Sequence, residues 1–121
     1  NNVNAQQLQD AIKKIQANDL NSAITELKQV MTGTDKASAA SARYFLSVAY
    51  VANNQYKEAI TEANKFVTAN AANKNAPDAL RVIYISQTQL GNASAANATA
   101  KRLIKSYPNS EAAKKVAKQI Q

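Results

Sequence analysis

Carboxylates at helical spacing come nearest to a catalytic arrangement in this chain. Glu58 and Glu62 stand at i, i+4, which brings them to one helix face. Asp19 and Glu26 resemble the acid pairs of hydrolases, where one carboxyl gives a proton and the other takes one. Nothing around either pair completes a reaction centre. The sequence has no histidine and no cysteine, so the commonest general base, the commonest metal ligand and the thiol nucleophile are all missing. Helix carboxylates in such company are read as solvated surface, and the chain is expected to be no enzyme and to need no cofactor or metal.

Cations form the second grouping. Lys101/Lys105 and Lys114/Lys118 are i, i+4 neighbours, and with Arg102 and Lys115 they mark the C-terminal part as one cationic end of a chain whose formal net charge is +7. Phosphate binding would use such a patch, but no recognition-helix motif and no aromatic stacking platform accompanies it. A solvated face or an acidic protein partner is the reading; nucleic acid is not an expected partner.

The elements that must carry these residues announce themselves by repetition. Asn18-Asp19-Leu20-Asn21-Ser22-Ala23-Ile24-Thr25-Glu26-Leu27 returns as Asn54-Gln55-Tyr56-Lys57-Glu58-Ala59-Ile60-Thr61-Glu62-Ala63, and more faintly from Gly91 to Ala100. The anchoring residues Ala23, Ala59 and Ala96 lie 36 and then 37 residues apart, the period of a helix-turn-helix repeat that must stack to bury its apolar face. Two glycines, two prolines and abundant alanine leave no turn chemistry for a sandwich or barrel. The fold class is all-α.

Leu20, Ala23, Ile24, Leu27, Val30 and Met31 wind onto one helical stripe, as do Tyr56, Ala59, Ile60, Ala63, Phe66 and Val67, and then Ala93, Ala96, Ala100, Leu103 and Ile104. These are second helices of three hairpins, about 3–34, 36–70 and 76–106, whose first helices run roughly over 3–17, 37–52 and 77–90. Pro77 suits a first helical turn, and Gly91 suits a left-handed helix end. After Pro108, Asn109 or Ser110 can cap a last helix at about 109–120, with Ala112, Ala113, Val116, Ala117 and Ile120 on its apolar side. The expectation is a single domain, 1–121: a right-handed α-α superhelix of three hairpins and a capping helix. No stretch reaches the roughly 18 to 20 apolar residues that cross a bilayer, so membrane insertion is not expected. The start at Asn1, with neither an initiator methionine nor an apolar leader, reads as that of a processed or excised piece.

In such a stack first helices line the inner wall. The candidate partner-binding groove comprises Leu8, Ile12 and Ile15 from the first hairpin, Tyr44, Val48 and Val51 from the second, and Asp78, Arg81, Ile85 and Thr88 from the third. An apolar wall with one tyrosine and one arginine anchor is suited to a peptide. The competing reading makes Leu8, Ile12, Ile15 and Val48 ordinary core.

Leu46, Tyr50, Tyr56, Ala59 and Phe66 in the second repeat, and Ile83, Gly91, Ala96, Leu103 and Pro108 in the third, resemble the tetratricopeptide (TPR) pattern. More narrowly, Tyr44-Phe45-Leu46-Ser47, Ala76-Pro77-Asp78-Ala79-Leu80 leading to Leu90-Gly91, and the run from Leu103 through Ser106-Tyr107-Pro108-Asn109-Ser110 to Lys114 resemble the C-terminal TPR domain of the Tol-Pal system cell division coordinator family (YbgF, CpoB). The resemblance implies a periplasmic adaptor that binds TolA and a peptidoglycan synthase and couples outer-membrane constriction to septal synthesis. It also implies a longer parent trimerised by an N-terminal coiled coil; this chain has no sustained heptads and is expected to be a monomer. Phe45-Leu46-Ser47 stands where that family usually has Trp-Leu-Gly, and the breaks at 31–35 and 70–73 lack its Tyr-Pro-x-Ser wording. The outer-membrane assembly lipoproteins of the BamD type share the architecture and supply the alternative function, as does a TPR scaffold with another envelope client.

Overall fold

The computed structural model describes residues 3–120. Among the described residues there are seven α-helices and no strand: α1 (Val3–Gln16), α2 (Leu20–Met31), α3 (Lys36–Ala52), α4 (Tyr56–Ala69), α5 (Ala76–Gln89), α6 (Ala93–Ser106) and α7 (Glu111–Gln119). Each helix packs on the next. In addition α1 touches α3, α3 touches α5 and α5 touches α7, whereas α2, α4 and α6 do not touch one another. Odd-numbered helices therefore form one layer and the even-numbered helices lie on it.

The stripes read from the sequence explain this layering. Leu20, Ala23, Ile24, Leu27 and Val30 are buried on α2, Ala59, Ala63, Phe66 and Val67 on α4, and Ala96, Ala100 and Leu103 on α6. Alanine at 23, 59 and 96, each at 4 % exposure or less, lets paired helices approach closely, while the fully buried Phe66, Leu27, Leu46, Leu80 and Leu103 fill the space between. Burying each of these large side chains is worth about 1.5–3 kcal/mol relative to leaving it in water. The run Val82-Ile83-Tyr84 is helical and entirely buried, because α5 is packed by α3, α4, α6 and α7 at once. Two of the expected stripe positions are exposed. Ala93 is exposed at the first turn of α6, and Ile120 is 42 % exposed because α7 ends one residue earlier.

The turns between paired helices are copies of one another. Asn18, Asn54 and Gly91 have φ of 62°, 61° and 78°, the left-handed region. In each, the following N–H reaches back to a carbonyl five residues earlier: Asp19 to Lys14 at 2.8 Å, Gln55 to Tyr50 at 2.8 Å, and Asn92 to Gln87 at 2.9 Å. This double reversal satisfies carbonyls that a helix end leaves without partners. Asparagine tolerates the left-handed conformation because its short polar side chain bonds locally; the Tyr56 hydroxyl donates to Asn54 Oδ1 at 2.9 Å.

The starts of α5, α6 and α7 follow familiar helix-start chemistry. Pro77 lies in the first turn of α5. Ser110 caps α7, its Oγ accepting from the Ala113 N–H at 3.0 Å, and Asn92 caps α6 by accepting from Ala95 N–H at 3.3 Å. Tyr107 reaches from the end of α6 to donate to the Ala71 carbonyl in the α4–α5 loop at 2.5 Å, tying the third hairpin to the second.

Candidate partner-binding face

Leu8, Tyr44 and Arg81 each lie fifteen residues before the alanine that anchors their hairpin. Ile12, Val48 and Ile85 lie eleven before it, and Ile15, Val51 and Thr88 eight before it. Because α1 lies beside α3 and α3 beside α5, these positions make three rows running across the odd-numbered layer. On each helix they recur at i, i+4 and i+7, one face of the cylinder.

Exposure differs along the rows. Leu8 is 7 % exposed and sits within the core cluster, so it offers a partner nothing: the apolar face of α1 is closed over by its neighbours at that level. Ile12, Ile15, Tyr44, Val48, Val51 and Ile85 are half-buried, packed on the core from one side. Arg81 is half-buried, and Asp78 and Thr88 are exposed. The Thr88 hydroxyl donates to its own helix at the Tyr84 carbonyl, 2.9 Å away.

Tyr44, Asp78 and Arg81 are brought within electrostatic reach of one another across the α3–α5 contact. The Tyr44 ring packs against Phe45 (centroids 4.9 Å apart, edge-on) and Phe66 (5.7 Å). Burial pushes its hydroxyl up to about 12 from 10.0; the Asp78 charge adds to the rise and the Arg81 charge opposes it. The group is therefore a neutral hydrogen-bond donor and acceptor at every physiological pH. Arg81 makes no ion pair among the described residues, and its Nε is buried without a hydrogen-bond partner.

The acid pairs resolve differently from their spacing. Glu62 accepts a charge-assisted bond from Arg43 Nη1 at 2.6 Å, between the two helices of the second hairpin, while Glu58 stays exposed beside Gln55. Glu26 pairs with Lys14 in the same way in the first hairpin, and both line a cavity of about 420 Å³ with Asp10, Lys13, Ala17 and Asp19. In the third hairpin the equivalent residue, Thr99, donates to Gln87 Oε1 at 2.7 Å. Residues 26, 62 and 99, three past each anchoring alanine, thus clip each second helix to its first. Sequence reasoning missed this role; the signal was the recurrence of glutamate after Ala-Ile-Thr.

The cationic end is accessible: Lys101, Arg102, Lys105, Lys114, Lys115 and Lys118 are all exposed. Among the described residues Lys114 is the one of these that is paired, with Glu111 at 3.5 Å on the surface, a contact worth little. Among the described residues no group of three or more acidic, histidine or cysteine side chains is placed to hold a metal, and no helix is long and apolar enough to cross a membrane. Compared with known proteins, the chain matches no family model and no curated sequence.

Proposed function

We propose that this chain is a non-catalytic TPR-type adaptor, a right-handed superhelix of three hairpins closed by α7, that holds a helical or extended segment of another protein against the wall formed by α1, α3 and α5. The observation that carries the reading is that one hairpin design recurs three times, with left-handed turns at 18, 54 and 91 and cross-helix clips at 26, 62 and 99. Hairpins repeated with so little variation make a scaffold whose product is a continuous side-chain wall, and that wall carries half-exposed aliphatic side chains with Tyr44 and Arg81 among them.

Its cellular setting rests on the family resemblance of the segments at 44–47, 76–91 and 103–114. On that basis the adaptor works in the periplasm, binds TolA and a peptidoglycan synthase, and coordinates Tol-Pal constriction with septal synthesis. The chain itself is a monomer, and a longer parent would trimerise through a coiled coil. The test is a titration of isotopically labelled protein with the periplasmic part of TolA. Amide shifts concentrated at Tyr44, Val48, Arg81 and Ile85, weakened by Tyr44→Ala and Arg81→Glu with helical content unchanged, are the expected result. No shifts at near-millimolar TolA would overturn the coordinator reading and favour outer-membrane assembly or another envelope client.

A further inference from the structure

We infer that the segment held on this wall carries a single acidic side chain, flanked by apolar residues, whose carboxylate pairs with the Arg81 guanidinium. The inference rests on the wall being the binding face and names the chemistry of its occupant.

Arg81 is the one cation among the groove candidates, and its situation is unusual for a surface arginine. Its Nε is buried and has no acceptor, and the side chain has no ion-pair partner among the described residues. A guanidinium is always charged and carries five donors; with Nε shut off from solvent, a bound group pairs with it through the N–H donors at its tip. Arg43, on α3, shows what a satisfied arginine looks like in this protein: it donates to Glu62 at 2.6 Å. A carboxylate answers Arg81 best, because planar guanidinium and carboxylate groups match in two parallel bonds. The Tyr44 hydroxyl lies within electrostatic reach of Arg81.

The surroundings narrow the carboxylate's source. Arg81 lies in the middle of α5, with Ile85 one turn further on and Val48 in the adjoining row of α3. A bound chain that covers these aliphatic side chains continues past Arg81, which places an Asp or Glu side chain there in preference to a chain end. Asp78, exposed one turn nearer the start of α5, repels a second carboxylate. The occupant is accordingly a mixed apolar segment with one acid, not an acidic tract. The net charge of +7 draws such a segment in at long range.

The experiment is a selection of random phage-displayed peptides against the whole chain, followed by titration of amide shifts with the enriched peptides. Enriched sequences should share one Asp or Glu between apolar residues and should move the Val48, Val51 and Ile85 amides. Arg81→Gln should weaken them by roughly ten- to a hundredfold, the range for a lost charged hydrogen bond. Lys105→Glu, which changes the net charge away from the wall, should have a much smaller effect. A peptide with Lys in place of its acid should bind Arg81→Glu better than wild type, and amidating the peptide C-terminus should change nothing. Peptides that occupy the wall without a shared acid, or that ignore Arg81→Gln, overturn the inference and leave the wall as the binding face. Loss of binding on amidation overturns it in favour of a terminal carboxylate. No enrichment, or shifts confined to other surfaces, overturns both.

Discussion

Replacing Gly91 by alanine isolates the energy of a backbone conformation. Gly91 has φ of +78°, and a Cβ built on it meets no atom within 4 Å, so the substitution introduces no clash with the rest of the protein. What remains is the intrinsic cost of a left-handed L-residue, about 1–2 kcal/mol. Alanine also has fewer unfolded conformations than glycine, which returns about 0.4–1 kcal/mol. The net expectation is a destabilisation of about 1 kcal/mol, or roughly 4 °C in melting temperature for a chain of this length. Gly91→Asn should cost less than about 0.5 kcal/mol, because asparagine already occupies the equivalent turns at 18 and 54. Asn54→Ala should cost more than Gly91→Ala, since it loses the Tyr56 hydroxyl bond as well. Urea unfolding followed by far-ultraviolet circular dichroism, with the slope held in common, reads all three. An unchanged midpoint for Gly91→Ala, or equal losses for alanine and asparagine at 91, would refute the claim that these three turns are one device.

Ser86 is fully buried and its hydroxyl has no partner among the described residues, so Ser86→Ala should stabilise the protein by up to about 1 kcal/mol in the same assay; a loss would reveal an acceptor for that hydroxyl. Ala59 has no exposed surface where α4 meets its neighbours, and Ala59→Leu should overpack that contact and cost about 1–3 kcal/mol, read by thermal melting. Tyr44 ionises near 12 in the folded protein against 10.0 in an unperturbed chain, so above pH 10 the unfolded state releases this proton first. The Tyr44 contribution is fully present below pH 10 and is lost as pH rises toward 12. Tyr44→Phe should remove a phase near pH 12 from the ultraviolet phenolate titration and flatten stability across that window; an unaltered titration would contradict the burial assigned to this ring.

Much of the architecture was legible because it depends on local pattern. Alanine spacing, the apolar stripes, Pro77, Gly91 and Ser110 each report on a helix or its end, and the helices start and stop within a residue or two of where those signals place them. Asn18 and Asn54 were harder: asparagine is unremarkable in any polar turn, and only alignment with Gly91 exposes their shared left-handed geometry. The clips at 26, 62 and 99 depend on how two helices are rotated against each other, which i, i+4 reasoning along one helix does not address; hence Glu62 looked like half of an acid pair when its partner is Arg43. Leu8 shows the same limit in reverse. Its register matches that of Tyr44 and Arg81, but register sets direction, and depth depends on what packs over each helix. The orphaned Nε of Arg81 had no sequence signal at all.

The absence of contacts among α2, α4 and α6 has a mechanical consequence. The even-numbered helices resemble slats fastened to a strip, so the stack can change its curvature by rolling hairpins about the odd-numbered layer without breaking outer packing. The joints differ in their polar ties. The third hairpin is latched to the second by the Tyr107–Ala71 hydrogen bond, whereas between the first and the second the Lys28 ammonium lies 5.9 Å from the Tyr50 ring. A change of curvature between the second and third hairpins must therefore break the Tyr107–Ala71 bond, a step that a change between the first and second does not require.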